Sequence, residues 1–399
     1  MKITKFALLI FPMFLFGNTL LNDLKKQELN YDKQYSIQDS KDTEKSWVNP
    51  LMLQYSYSKD NSIGTITTTK TFSISVNQPI FKSGAIYYSI KYAKNAKSYN
   101  LGNVELQRRE LIKQALDLAY DYKINIINEE IIKLNIKNAK IDIQKKKEEF
   151  LNGVGDSTLL NNAVLTLNSL KLNLEDLQMN SDNLKYSFAN ISSLNIDTLK
   201  LPQFRIIPIN RYINHNLDLV QQKRLKKVKK DLYKMQIGNQ LLSVNLNASL
   251  NWQKVDYKDS SPILQDSSSD YYRVGLSINM PISFNALNKI EKTKLDYLKS
   301  QILITDKKRV LINQYNSIIR QVNAINKKIK IYKSNINIYE SLISSTLDSI
   351  EAGNATRLDL EILQNSKKTM YLNIQILKLQ KQKLLLNLYY KLNNFSLTF

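Results

Sequence analysis

Residues 242–253 have the sequence LSVNLNASLNWQ, in which apolar and polar side chains alternate without a break. Leu242 and Val244 begin the apolar set, and Ser243 and Asn245 begin the polar set. Successive side chains of a β-strand point to opposite faces, so the pattern predicts a strand with one apolar and one polar face. The segment is long enough to cross a membrane, which takes about 9–11 residues. The alternative is a strand of a soluble sheet that packs on helices.

Three further segments alternate in the same way, and the four form two pairs joined by polar loops. We predict strands at about 47–58, 69–80, 241–254 and 270–282. Aromatic residues lie in or at the ends of these strands, as they do at the water interfaces of membrane strands. These predicted interface residues are Trp47, Tyr55, Tyr57, Trp252, Tyr271 and Tyr272.

Long stretches without Gly or Pro follow each strand pair, one of them covering 282–352. Helix interiors exclude both residues because each lowers helix stability. Apolar residues from Leu311 to Ile350 recur on alternating four- and three-residue steps, which keeps one stripe facing a partner helix. We therefore predict coiled-coil helices at 84–151 and 285–351, each roughly 100 Å long at about 1.5 Å per residue.

A glycine follows each long helix, and a second helical segment follows the glycine. Gly153 and Gly353 can adopt the left-handed conformation that ends a helix. Asp156 or Ser157 in the first turn, and Thr356 in the second, can cap the next helix. The predicted returning helices cover 156–195 and 355–392, and shorter helices, one of them at 209–237, precede the strand pairs.

The order of strands, long helix, glycine turn and returning helix occurs twice. We predict two structural repeats, at 18–200 and 201–399. VNQPI at 76–80 matches INMPI at 278–282, each directly before a long helix. The proline ends strand pairing because it has no N–H to donate.

Residues 1–17 are typical of a secretory signal, since Lys2 and Lys5 flank the start of an apolar run that continues to Phe16. A buried N-terminal helix is the alternative. The run is shorter than the about 20 apolar residues of a spanning helix. The absence of cysteine excludes disulfides, thiol catalysis and cysteine metal sites. We expect an exported protein that is periplasmic, secreted or in the outer membrane.

The formal net charge of +22 invites comparison with nucleic-acid-binding proteins. The lysines are spread along the helices, however, and the densest cluster covers only 226–230. We predict a solvated surface and no nucleic-acid partner. The single histidine, His215, has no partner pattern typical of a general base, and no phosphate loop, metal-spaced cluster or nucleophile motif occurs. We predict no catalytic residues, no cofactor, no metal and no enzymatic activity.

Four strands are too few to close a membrane barrel on their own. An open edge in lipid leaves backbone groups without hydrogen bonds, and single-chain barrels begin at about eight strands. The chain is therefore expected to share a barrel with further copies of itself. Three copies would supply twelve strands, although the residues themselves do not determine that number.

The repeated strand exits and the sequence GNATRLDL at 353–360 resemble the TolC-type outer-membrane efflux proteins. The resemblance implies a mainly α fold with a β-barrel portion: a homotrimer with a twelve-strand barrel in outer-membrane lipid and an α-helical periplasmic tunnel. It also implies a periplasmic adaptor protein and an inner-membrane transporter as partners. Both small-molecule efflux and type I protein secretion use such channels.

The resemblance further implies an acidic ring at the periplasmic entrance, formed by Asp359 with Glu361. Ile362 and Leu159 are apolar where such proteins often carry an acid, so the ring is thinner here. The alternative is that Asp359 is a first-turn carboxylate stabilised by the helix dipole. The predicted adaptor-docking residues at the helix tips are Gly153, Asp156, Ser157, Gly353, Thr356 and Arg357.

Two other classes of protein remain possible at this point. A periplasmic adaptor would have one helical hairpin flanked by compact β-domains, whereas this chain has two hairpins and only 9 glycines. A structural coiled-coil protein of the envelope would have no use for four alternating strands.

Overall fold

The computed structural model describes residues 20–61, 65–258 and 265–393. The predicted signal at 1–17 lies outside the described residues. The fold is mainly helical with one small sheet. The helices are α1 (Asp23–Lys45), α2 (Ala85–Leu151), α3 (Ser157–Ala189), α4 (Ile209–Asn214), α5 (Leu217–Asn239), α6 (Ala286–Glu351) and α7 (Arg357–Tyr389). The strands are β1 (Met52–Asp60), β2 (Ile66–Phe81), β3 (Ser243–Lys258) and β4 (Ser267–Asn279).

All four strands form a single antiparallel sheet in the order β1-β2-β3-β4. The two predicted hairpins are β1–β2 and β3–β4, and the neighbouring strands β2 and β3 join them. One irregularity in register occurs between Pro79 and Phe81, at the predicted strand exit. Pairing nevertheless continues past Pro79 to Phe81, so the proline, which lacks an N–H, disturbs the ladder here without ending the strand as predicted.

The first strand begins later than predicted. Residues before Met52 continue the end of α1 as a turn, since the Val48 N–H donates to the Lys45 carbonyl at 2.9 Å. The N–H of Ser46 likewise donates to Thr43 at 3.3 Å. Trp47 therefore lies in a turn and not in a strand, which corrects the predicted start at residue 47.

The helix predicted over 209–237 is interrupted. His215 and Asn216 separate α4 from α5, because their backbone pairs with the segment that follows α7. The Asn393 N–H donates to the His215 carbonyl at 2.9 Å, and the Leu217 N–H donates to the Lys391 carbonyl at 2.8 Å. These bonds use groups that a continuous helix would need for itself.

The chain divides into two compact units. Among the described residues, one contains 20–29, Leu106–Leu217 and 310–393, and the other contains residues of Asn30–Glu105 and Asp218–Arg309. In the first unit the predicted heptad stripe of α6 is buried. Its buried members are Leu311, Ile318, Val322, Ile325 and Ile336.

Candidate channel sheet and helix tips

One face of the sheet is apolar across all four strands. The strand register places Leu53 beside Ile74, Ile74 beside Leu250 and Leu250 beside Tyr272. These side chains are exposed although they are apolar: Leu53 is 65% and Tyr272 75% exposed. Other exposed members of this face are Tyr55, Tyr57, Phe72, Trp252, Val274, Leu276 and Ile278. An exposed apolar surface of this extent marks a site of contact with lipid or protein.

The opposite face is polar and almost free of charge. Ser73 lies between Gln54 and Asn251, and the neighbouring rows carry further hydroxyl and amide side chains. Arg273 is the one basic side chain among the paired positions of this face, and its guanidinium lies 5.0 Å from the centre of the Tyr271 ring. A sheet with one apolar and one hydrated polar face suits a wall between lipid and water.

The outer strands β1 and β4 are each paired on one side only among the described residues. Every residue of β1 is exposed. An exposed strand edge presents unpaired N–H and C=O groups that can pair with another strand. The sheet can therefore be extended at both edges.

The predicted interface aromatics divide between the two faces. Tyr55, Tyr57, Trp252 and Tyr272 lie on the apolar face, where the Phe72 and Trp252 rings are 5.5 Å apart. Tyr271 lies opposite Asn251 on the polar face. Four of the six predicted residues thus share the exposed apolar face, and their role at a membrane interface stays a prediction.

The two helix tips have the same backbone geometry. Gly153 and Gly353 both have φ of +77°, as the helix-ending role predicts. The Val154 N–H donates to the Glu149 carbonyl at 3.0 Å, and the Asn354 N–H donates to the Ser349 carbonyl at 2.8 Å. This bond over five residues is typical of the Schellman motif and satisfies carbonyls at the helix end.

The caps of the returning helices differ. The Asp156 carboxylate accepts from the Thr158 N–H at 3.0 Å, while Ser157 is exposed and donates to Asp156 at 3.3 Å. This hydrogen bonding lowers the pKa of Asp156. The second helix begins with a capping box: Thr356 Oγ1 accepts from the Asp359 N–H at 3.3 Å, and Asp359 Oδ2 accepts from the Thr356 N–H at 2.9 Å.

Asp359 also forms an ion pair with Lys145 of α2. The hydrogen bond from Lys145, followed by those from Thr356, lowers the pKa of Asp359 to about 2. The carboxylate is thus already bound within the chain. Glu361 and Arg357 are exposed, and neither forms an ion pair within 4.0 Å among the described residues.

The ion pair of Lys145 belongs to a series of polar contacts that joins α2 to α7. Each contact links a residue of one helix to a residue of the other in antiparallel order. The series consists of Lys145–Asp359, Asn138–Asn365 at 2.8 Å, Glu130–Lys368 at 2.7 Å and Asp121–Lys383 at 2.7 Å. The heptad pattern predicts which helical faces are apolar but gives no partner for a charged residue, so sequence reasoning missed these pairs.

A second apolar stripe on α3 is exposed. Leu165, Leu172, Met179 and Tyr186 follow one another at seven-residue intervals and are 62–73% exposed. Seven-residue spacing places them on one side of the helix. The buried residues of α3, among them Ala163 and Phe188, lie elsewhere on the helix. The exposed stripe therefore has the pattern of a surface that packs against a further helix.

The described part of the chain contains neither of two other kinds of site. Among residues 20–61, 65–258 and 265–393, no helix is long and apolar enough to cross a membrane. In the same part of the chain no three His, Cys, Asp or Glu residues are grouped so that they could hold a metal ion.

The sequence and the fold were compared with those of known proteins. Residues 209–393 match the family model of the outer membrane efflux proteins. No curated protein has significant sequence similarity to the chain. The fold is similar to that of the outer membrane protein VceC from Vibrio cholerae, with a TM-score of 0.72 and 12% identity over 92% of this chain and 93% of that chain.

Two further solved structures have the same architecture. The CmeC outer membrane channel of Campylobacter jejuni gives a TM-score of 0.74 and 13% identity, covering 94% of this chain and 85% of that chain. The MtrE outer membrane channel of Neisseria gonorrhoeae gives a TM-score of 0.64 and 12% identity, covering 94% of this chain and 87% of that chain. The predicted resemblance is confirmed, and these matches agree with the predicted outer-membrane location. Residues 209–393 thus carry the sequence pattern of the outer membrane efflux protein family, and the chain has the fold of that family's channels.

Proposed function

We propose that this protein is the outer-membrane channel of a tripartite export system and conducts its cargo passively. The observation that carries the proposal is the sheet, which is apolar and exposed on one face, polar on the other and open at both edges. A soluble sheet would cover its apolar face with helices. Lipid covers that face without any further protein, provided that the open edges are closed.

Edge closure leads to the oligomer. Strand β1 of one copy pairs with β4 of the next, and three copies complete a barrel of twelve strands. The apolar face contacts the lipid of the outer membrane, and the polar face lines an aqueous passage. All backbone groups then have partners, as a membrane requires.

The exposed stripe of α3 supports the same assembly on the helical side. It includes Leu165 and Leu172 and is too regular to be a scatter of surface residues. The surface of α6 that carries the exposed Ile331 and Ile338, also seven residues apart, is a suitable partner in the neighbouring copy. The helical hairpins of three copies then form the wall of a periplasmic tunnel.

The helix tips are proposed as the gated end and the adaptor-docking surface. The Lys145–Asp359 ion pair holds the second tip to α2 and favours a closed arrangement. Glu361 is exposed and available for an acidic ring of three carboxylates, which would attract cations. The energy for export comes from the inner-membrane transporter, and the channel itself carries out no chemical reaction.

The polar face of the sheet indicates the class of cargo. Among the paired positions, the polar face of the sheet offers hydroxyl and amide groups and two charged side chains per copy, Arg273 and Asp60, so it holds no substrate tightly. Such a lining suits small toxic molecules or an unfolded secreted protein. The fold favours this channel function over the adaptor and over a structural envelope protein, since solved outer-membrane channels match more than 90% of the chain.

A planar-bilayer recording tests the proposal. The purified protein should migrate as a trimer in detergent and insert with stepwise ionic conductance. A heat-stable monomer that never conducts would contradict it. Leu172→Asp should reduce the trimer fraction because it places a charge in the proposed helical interface. Asn173→Asp should not, because this exposed neighbour lies about a quarter turn away from the stripe.

A further inference from the structure

The apolar face of the sheet ends in a group of lysines beside the hairpin loops. In the strand register Lys70 lies between Tyr57 and Lys254, and Lys59 lies in the next row. Lys258 follows at the end of β3, on the same face. We call Lys59, Lys70, Lys254 and Lys258 the loop-end lysine cluster. At the other end of this face, the strands carry only uncharged side chains.

The cluster lies directly beyond an aromatic row. Tyr55, Phe72 and Trp252 are neighbours in register. The first lysine towards the loops is two residues away on β2 and β3, and on β1 Lys59 is four residues beyond Tyr55. On β3, Lys254 is ten residues beyond Val244, the position paired with Ile278 at the opposite end of the face. At about 3.3 Å per residue and a strand tilt of about 40°, this corresponds to a height of roughly 25 Å. That is about the height of the apolar band of outer-membrane barrels, so the lysines lie at the level of the lipid headgroups.

The charges of the cluster are only partly neutralised. Lys70 and Lys254 share the carboxylate of Asp256, at 3.3 Å and 3.0 Å. Lys59 and Lys258 are exposed and have no ion pair within 4.0 Å among the described residues. Asp270, opposite Trp252, is the other carboxylate of this face within the strands, and Asp266, directly before β4, also interacts with Lys254. The face therefore retains an excess of positive charge.

Protection of strand edges does not account for this arrangement. Lysines on edge strands discourage pairing with other chains, but Lys70 and Lys254 lie on the central strands β2 and β3. An aromatic row followed by ammonium groups is instead suited to a lipid, because the rings contact the acyl–headgroup boundary and the ammonium groups bind phosphate.

We propose that the loop-end lysine cluster binds the phosphate groups of lipids in the membrane leaflet on the hairpin-loop side. The inference rests on the proposed membrane insertion of the sheet. It further specifies the class of lipid, because the cluster should bind lipids with exposed phosphate in preference to zwitterionic lipids. Lys59 and Lys258 are the residues with free capacity for such a ligand, while Lys70 and Lys254 add to the local field.

The test uses the purified full-length oligomer in a neutral detergent. Its thermal midpoint is measured during titration with short-chain phosphatidic acid, short-chain phosphatidylcholine or inorganic phosphate. The main variant is Lys59→Gln/Lys258→Gln, which leaves Asp256 paired. A second variant, Lys70→Gln/Lys254→Gln/Asp256→Asn, removes the remaining charges together. The matched control is Lys227→Gln/Lys230→Gln, two exposed lysines of α5.

Phosphatidic acid should stabilise the unmodified protein, and the main variant should bind it about tenfold more weakly because two cationic contacts are lost. The control should bind it as the unmodified protein does, and phosphatidylcholine should stabilise all forms equally. Equal stabilisation of the unmodified protein and both cluster variants would overturn the inference, as would an equal effect of inorganic phosphate alone.

Conductance of the same preparations separates this inference from the channel function. Conducting protein whose variants bind phosphatidic acid normally would overturn only the lipid inference. Protein that neither inserts nor conducts would overturn both.

Discussion

The two helix tips have the same backbone and different side-chain contacts. Gly153 and Gly353 have identical φ angles and equivalent hydrogen bonds. The first returning helix begins with the Asp156 cap, whereas the second begins with a capping box of Thr356 and Asp359. The Asp359 carboxylate also forms the ion pair with Lys145 of α2. The turn is therefore set by glycine in both, but only the second tip is tied to a neighbouring helix by its own cap.

This difference suggests a division of labour between the tips. The link between the second tip and α2 depends on one partly exposed ion pair, Lys145–Asp359. Such a pair contributes little to stability, about 0–1 kcal/mol. It can nevertheless be broken at low energetic cost when a partner docks. The second tip is consequently the better candidate for the moving part of the gate. The variants below change the contacts in which the two tips differ or agree.

Glycine replacement should affect both tips equally and most strongly. Gly153→Val and Gly353→Val each force a side chain into the left-handed region, at a cost of roughly 1–2 kcal/mol. Hydrogen exchange of the tip amides should rise to a similar extent in the two variants. The control is Gly275→Val, at a strand position with open space around it and no positive φ. Protection that falls at only one tip would show that the turns are not equivalent.

Removal of the capping carboxylates should affect the tips unequally. Asp156→Ala should destabilise the start of α3, because the carboxylate that accepts from the Thr158 N–H is lost. Asp359→Ala leaves Thr356 as the cap of α7 but removes the bond back to the Thr356 N–H and the ion pair to Lys145, so exchange should also rise in α2 around Lys145. The same exchange experiment measures both effects. An effect of Asp359→Ala that is confined to the start of α7 would argue against the link to α2.

Loss of the tie alone should leave the second turn intact. Lys145→Gln removes the ion pair but keeps the capping box, so local stability should fall by about 0.2–1 kcal/mol. If the pair favours the closed tip, the open probability in planar bilayers should increase. Lys147→Gln on the same helix provides a control with the same change of charge. Unchanged gating with Lys145→Gln would remove the second tip's special role.

Acidification should weaken the second tip in a defined window. The folded pKa of Asp359 is about 2, below its usual value of 3.8. Its contribution is therefore complete above pH 3.8 and is lost as the pH falls towards 2. Pepsin cleavage at the second tip should accelerate across this window in the unmodified protein and change less in Asp359→Asn. The first tip should also weaken, since the pKa of Asp156 is lowered as well.

Periodic features of the sequence predict much of this molecule. Alternation in 242–253 predicts β3 and its two faces, and the heptad stripe that begins at Leu311 predicts the buried side of α6. The glycine turns follow from local conformational preference. Each of these properties depends on residues close together in the chain, so a single sequence contains them.

Contacts between distant residues account for what the sequence could not predict. Lys145 is 214 residues from Asp359, and no local pattern marks one lysine among many on α2. The break at His215 results from pairing with the end of the chain, which local helix propensity cannot reveal. Trp47 is an aromatic residue of the kind found at strand ends, but it lies in a turn that continues from α1.

The central claim is that the sheet lies in a membrane with its apolar face towards lipid. Substitutions at two adjacent positions of β4 test this claim through their effect on insertion into lipid vesicles. Val274 lies on the apolar face and is 68% exposed, while the adjacent Gly275 lies on the polar face with open space around it. Val274→Arg should reduce insertion into lipid vesicles strongly, because arginine near the bilayer centre costs about 2–4 kcal/mol. Gly275→Arg should insert like the unmodified protein and change its conductance. Equal insertion of the two variants would contradict the account.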